Sequence, residues 1–381
     1  MSTILWPEIL LPSTAAANAE TLAALSAADW EWLATAAQQH GLAPLLYANL
    51  QSLPLAPESA GPVLEKLRTA YKHSLLTAMR REGELRRILD GLAAQGICPG
   101  VFKGAALAYT IYPTPGCRPM GDIDLWVTHA EMPAAIEVLG ELGYRFHEKA
   151  DRPHAMTQAT DGEVQMRPTQ PGQHLVELHW GVFAGEWLAR TTAVDRAGVR
   201  SRLVRTPLTG GREVLLLAPE DALIQLAVHL GINHQMSLNA LRSLVDIALL
   251  AQQRPVDWDV VVERARTWRV ATVVGLVLAL ADACFSLPVL QAPAATLAPR
   301  GVQKNLLARF VTKQTILARP DLSTQKSRFA YLLCATDRPQ DSANLLLRTL
   351  WPEPAWLAAR YGQANLHTRI HHVTGALRGD I

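Results

Sequence analysis

Asp122-Ile123-Asp124-Leu125 alternates acidic and apolar residues and runs on into Trp126-Val127. That period of two fits a β-strand with one wet face and one buried face. Successive side chains on a strand point to opposite faces, so Asp122 and Asp124 share one surface while Ile123 and Leu125 point into a core. A sheet must therefore form around this segment. Upstream, Ile97-Cys98-Pro99-Gly100-Val101-Phe102 is a short apolar run bounded by Gly and Pro, which suits a buried strand. Lys103-Gly104 breaks it, and Ala105 to Tyr109 reads as helix. Downstream, Ala155–Ala159, Glu163–Arg167 and His174–Trp180, separated by Asp161-Gly162 and Pro171-Gly172, read as antiparallel strands.

Helical text surrounds this sheet. Leu22, Leu25, Trp30, Leu33 and Ala37 recur at helical spacing, with Ser26 and Asp29 as caps, and two helices fit between Ala15 and Leu50. Val63 to Gln95 predicts one or two long amphipathic helices with Arg80, Arg81, Arg86 and Arg87 on a solvated face. Glu131 to Leu142 predicts a helix ending at Gly143. Beyond Pro219 the pattern is helical almost to the end; Leu223, Leu226, Ala227 and Leu230 mark one face, and Leu241, Leu244, Val245, Ala248 and Leu249 the next. The expected class is α+β: a mixed sheet with flanking helices between N-terminal and C-terminal helical regions. The divisions expected are 1–95 helical, 96–218 sheet-bearing core and 219–381 helical.

With 36 basic and 34 acidic residues the formal net charge is +2, so no global field draws in nucleic acid or an anionic membrane. Only the Arg80–Arg87 run and the Arg196–Arg205 cluster are locally basic, too little for a groove that follows a nucleic-acid backbone. Cys98, Cys117, Cys284 and Cys334 form no CxxC pair and read as ordinary thiols. MSTILWPEILLPS has no basic stretch before its short apolar run, so no secretory signal is expected and the cytoplasm is the expected location. Asp282 and Ser286 interrupt the apolar stretch Val270–Leu287, which predicts a buried core helix rather than a membrane span.

Two carboxylates on one strand face suit a hard cation, because Mg²⁺ takes one or two protein carboxylates plus nucleotide phosphates. Two solvated aspartates on an edge strand are the competing explanation, and a bare Asp-x-Asp is common. Three features favour the cation. Lys103-Gly104, at a strand-to-helix break, can aim backbone N–H groups at a phosphate, with Gly104 allowing close approach. Arg118, four residues before Asp122, can reach triphosphate oxygens with a forked guanidinium, or can pair with an aspartate. In Val176-Glu177-Leu178-His179-Trp180, Glu177 and His179 share a strand face and Glu177 offers a third acid. His179 can be hydrogen-bonded within the sheet. His229, His234 and Asp246 lie on later helices, where packing or capping is the first expectation and a place facing the cleft the alternative.

The run FKGAALAYTIYPTPGCRPMGDIDLWV, with VELHW, LAPEDALIQLAVH, LRSLVDIALL and WPEPAWLAARYG, resembles the bacterial uncharacterised nucleotidyltransferases of the DNA-polymerase-β-like superfamily. The likeness extends from about Trp30 to the C-terminal segment. It implies a polymerase-β-like core in which Asp122 and Asp124 bind two Mg²⁺ ions, Glu177 is the third catalytic, metal-binding acid that helps position or deprotonate the incoming hydroxyl, His179 orients Glu177 or touches the acceptor, and Lys103, Gly104 and Arg118 contact the phosphates. It further implies Mg²⁺ or Mn²⁺ as metal and a nucleoside triphosphate, expected to be ATP, as substrate. The acceptor would be a small molecule, a peptide or a protein hydroxyl; the alternative is an inactive nucleotide-binding or interaction module of the same fold. The sequence departs from the wider pattern, which has Gly-Ser or Gly-Gly where Lys103-Gly104 stands and a shorter gap to the Asp-x-Asp.

Overall fold

The computed structural model describes residues 6–51, 53–55, 57–147, 162–208, 212–237, 239–318 and 325–378. Its centre is a sheet of seven strands: β1 (Gly100–Val101), β2 (Asp122–Trp126), β3 (Tyr144–Phe146), β4 (Glu163–Pro168), β5 (Leu175–His179), β6 (Val204–Pro207) and β7 (Glu213–Leu216). Their order is β3-β4-β5-β2-β1-β7-β6. The sheet is mixed, since β2 pairs parallel with β5 and β1 parallel with β7 while the remaining neighbours are antiparallel.

The alternation in β2 does what its period requires. Ile123, Leu125 and Val127 are fully buried, as are Val176 and Leu178 beside them on β5. They form one apolar face, covered by Leu85, Ile88 and Leu92 of the long helix Pro57–Ala94 and by Ala135 and Leu139 of the helix Met132–Glu141. Helices from both ends of the chain share a separate apolar core, in which Trp30, Leu33, Leu241, Leu244, Val274 and Leu278 are all buried. The helix Ala271–Phe285 lies inside that core, and no helix among the described residues is long and apolar enough to cross a membrane.

Several expectations hold. Ser26 and Asp29 form a reciprocal capping box on the helix Ala27–Gln39, and Ala43–Leu50 is the next full helix, preceded by the short Pro12–Ala17 and Ala19–Ala23 turns. Gly143 ends its helix region at φ +89°, a conformation that favours glycine. Others change. Arg81 does not share a solvated face with Arg80 and Arg87; it is 2% exposed and donates to the Met120 carbonyl at 2.6 Å. The hairpin of β6 and β7 is additional to the strands expected, because both are four residues long and β6 is mostly exposed, with too short a pattern to stand out. The expected strand Ala155–Ala159 lies outside the described residues.

The Pro- and Gly-rich stretch between the helix Lys103–Thr110 and β2 is held from both sides. Arg81 grips it from the long helix, and Arg242, on the helix Ala240–Gln253, donates to the Pro119 carbonyl at 3.0 Å. From the same helix, Asp246 accepts a fork from Arg118, Nε at 2.8 Å and Nη2 at 2.7 Å, and a hydrogen bond from the Tyr112 hydroxyl at 2.6 Å. Removing one partner of such a buried pair strands the other charge. Asp246→Ala is therefore expected to cost about 3–5 kcal/mol in urea unfolding, and Asp246→Asn less, because its amide oxygen still accepts. A loss near zero for Asp246→Ala would show that the clamp does not hold the loop.

Candidate active site

On the face opposite the apolar one, the parallel register sets Asp124 of β2 directly beside Glu177 of β5. The antiparallel β4 adds Glu163 opposite His179 and Gln165 opposite Glu177. One polar face thus gathers Asp122, Asp124, Glu177, His179, Glu163 and Gln165. Asp122, Asp124, Glu163 and Glu177 of this face line a cleft of about 530 Å³, together with Gly104 and Arg118 and with His229, Asn233 and Arg242 from the later helices.

Lys103 is the first residue of its helix and adopts φ +51°, unusual for a side chain with a Cβ. That turn sends its ammonium over the acids. Nζ donates to Asp124 Oδ1 at 2.7 Å and stands 3.7 Å from Glu177 Oε2. Burial disfavours the charged ammonium, yet the charges of Asp124, Glu177 and Glu163 overcome that and hold its pKa above the ordinary lysine value. Lys103 is thus bound to the carboxylates in this structure.

His179 bridges the same group. Its Nε2 lies 3.0 Å from Asp124 Oδ1 and 3.6 Å from Glu177 Oε2, and its Nδ1 3.2 Å from Glu163 Oε2. Burial and the nearby Lys103 charge oppose protonation, but the hydrogen bonds to Asp124 and Glu177 and the charge of Glu163 outweigh them and raise its pKa. Glu177, although buried, is lowered by hydrogen bonding to His179, by Lys103 and by the Gln165 amide, which donates at 2.8 Å. Asp122 behaves oppositely. Burial first, then the charges of Asp124 and Glu177, push its pKa up to about 6.

Gly104 is buried against Arg118; a Cβ there would lie 2.5 Å from Arg118 Nη1 and 3.0 Å from Met120 Sδ. The glycine makes room for the guanidinium, whose Nη1 is the nitrogen outside the Asp246 fork. Arg118 therefore lines the cleft while paired with an aspartate. His229 and His234 also line it, with Nε2 atoms 2.9 Å apart. Burial, followed by the Lys103 charge, depresses both pKa values, which keeps the rings neutral and lets one donate to the other.

Asp124, Glu177 and His179 each offer a ligand atom within 4.8 Å of the others. Two carboxylates around a spot where an ammonium already sits form a donor set that fits a hard cation. Asp122 is not in that trio, though it lines the same cleft. Glu163 was legible in principle, since a hairpin that puts Gln165 opposite Glu177 puts Glu163 opposite His179. His229, His234 and Asp246, for which packing or capping is the first expectation, line the cleft, whereas Asn233 and Arg242 carry no local signal that would have placed them here.

Residues 26–286 match the family model of uncharacterised nucleotidyltransferases, so the chain belongs to that family. The mixed sheet with helical regions at both ends is the fold expected of it. Among solved structures, an antigenic nucleotidyltransferase-like protein from Paracoccidioides brasiliensis matches with 16% identity and a TM-score of 0.34, over 61% of this chain and 94% of that one. A comparison with curated proteins finds no match.

The raised pKa of Asp122 has a stability consequence. Its native state favours the protonated form, so its contribution to folding is fully present below the ordinary value of 3.8 and is lost as pH rises through about 6. In metal-free protein above about pH 7, Asp122→Asn is expected to raise stability by up to about 3 kcal/mol, with the gain fading toward about pH 4. Thermal melts of both proteins at the two pH values check this; an equal effect at both would contradict it.

Proposed function

We propose that this protein transfers a nucleoside monophosphate from a nucleoside triphosphate, with ATP as the expected donor, to a hydroxyl of a small molecule, peptide or protein. The observation that carries the proposal is the in-register pairing of Asp124 with Glu177, two acids from separate strands that already share one cation, the Lys103 ammonium. Asp124 and Glu177, with Asp122 at the cleft and His179 behind them, would hold Mg²⁺ or Mn²⁺. Such an ion, when bound, supplies positive charge that neutralises the triphosphate.

The chain's own residues do the rest by positioning and electrostatics. An acceptor oxygen bonds to the α-phosphorus while the bridging bond to the β-phosphate breaks, and pyrophosphate leaves with that electron pair. The hydroxyl proton passes to a carboxylate of the acid face. Asp122 has no hydrogen bond or ion pair among the described residues and is the one free to take it. Glu177, held ionised by His179, Lys103 and Gln165, is suited to orienting the acceptor. Lys103, Gly104 and Arg118 line the cleft where the phosphates would lie.

Lys103 also favours a second reading, a nucleotide-binding or interaction protein that has lost the reaction, because its ammonium occupies the space between Asp124 and Glu177. Incubation with α-labelled ATP, Mg²⁺ and candidate acceptors separates the two. Wild type is expected to label an acceptor and Asp124→Asn to be at least about a hundredfold slower. Nucleotide binding without release of pyrophosphate by the wild type would favour the second reading. Glu177→Gln is expected to lower the rate about a hundredfold while nucleotide affinity changes little, which steady-state kinetics beside equilibrium binding will test. An equal loss of affinity would place Glu177 on the nucleotide side instead.

A further inference from the structure

A second cavity, of about 430 Å³, opens between the segment 184–190 and the C-terminal helices Pro339–Leu350, Pro354–Tyr361 and Leu366–Arg378. Ala184, Gly185 and Asn233 line both this cavity and the acid cleft, so the two adjoin along that segment. The wall is tied, because the Asn233 amide donates to the Ala184 carbonyl at 2.9 Å. A volume of this size suits a small ligand. The acid cleft, at about 530 Å³, would be largely taken up by a nucleoside triphosphate, leaving the adjoining space for the other reactant.

Its chemistry is specific. Trp187 and Trp356 are both half-buried in the lining and offer ring surface. Three guanidiniums, Arg190, Arg348 and Arg360, face two carboxylates, Glu186 and Glu353, which leaves one positive charge in excess. Glu186 takes Arg190 at 2.8 Å and the Trp356 indole N–H at 3.0 Å, and Glu353 takes Arg348 at 2.8 Å. The guanidinium left over is that of Arg360. It lies 5.6 Å from the Trp356 ring and 5.8 Å from the Tyr361 ring, with no carboxylate partner among the described residues. His372 adds no charge, because burial holds its pKa below the ordinary value and its two ring nitrogens are engaged with the Tyr361 hydroxyl and the Thr349 carbonyl.

We infer that this cavity is the acceptor pocket of the same active site, and that it takes a small hydroxyl-bearing molecule with a planar ring and a single carboxylate, the ring against Trp356 and the carboxylate on Arg360. The inference rests on the nucleotidyl-transfer function proposed above. One excess positive charge matches one carboxylate, whereas a phosphate monoester would bring close to two negative charges.

N-acetyl-tyrosine is the probe, with N-acetyl-tyrosine amide as the same ring and hydroxyl without the carboxylate, and binding is read by calorimetry. The acid is expected to bind about tenfold more tightly than the amide to the wild type, the preference to vanish in Arg360→Gln, and Arg360→Lys to restore part of it. Because the readout is the acid-to-amide ratio within each protein, partial loss of folding in a variant does not mimic the result. Equal binding of acid and amide by the wild type, a preference that survives Arg360→Gln, or no binding of either overturns the inference. If the Arg360-dependent preference appears but α-labelled ATP never labels the probe or any other acceptor, the pocket stands and the transfer function fails. Transfer to other acceptors without that preference retains the function and removes the pocket.

Discussion

The parallel pairing of β2 with β5 is the constraint on which the site depends, because it fixes the buried Asp124 against the half-buried Glu177 at the cleft. Two like charges about 4 Å apart repel by roughly 4 kcal/mol at the effective dielectric of a protein surface. The fold tolerates this because cations and donors converge on the pair. Lys103 supplies the ammonium, His179 and Gln165 supply hydrogen bonds, and Asp122 answers the remaining repulsion with a raised proton affinity. A left-handed lysine costs on the order of 1–2 kcal/mol, an expense worth sustaining only where the side chain must point at charge.

The C-terminal helices complete what the sheet begins. Arg118 and Asp246 lock the loop before β2 to the helix Ala240–Gln253, and Arg81 holds the same loop from the long N-terminal helix. With the loop held on both sides, the acid face looks across a polar cleft at His229, Asn233 and Arg242. Neutral histidines and a tied asparagine opposite a row of carboxylates provide hydrogen-bonding partners for a polar, charged guest. The cleft therefore belongs to neither the sheet nor the helices alone.

How much of this was visible in the chain differs by residue. The strand β2, the caps Ser26 and Asp29, the buried helix at 271–285 and the acidic face are local patterns, each set by a period of two or near 3.6 or by a residue beside a helix start. Arg81 escaped the same logic because four arginines in one run look alike until the Met120 carbonyl selects one of them. The hairpin β6–β7 escaped because each strand is four residues long and only the parallel contact with β1 makes β7 an interior strand. Arg118 could be read from the sequence as a phosphate ligand or an aspartate's partner; the structure pairs it with Asp246 while leaving it at the edge of the cleft.

By itself the sequence determined that Asp122 and Asp124 share a face, that Glu177 and His179 share another, and that a mixed sheet sits among helices, because side-chain alternation is a property of neighbouring residues. Tertiary structure decided that those two faces are the same face, that Lys103 lies between the acids, and that residues 128 positions apart, Arg118 and Asp246, close the loop above them. Strand order and helix docking depend on how whole apolar surfaces fit together, and no short window of residues carries that information.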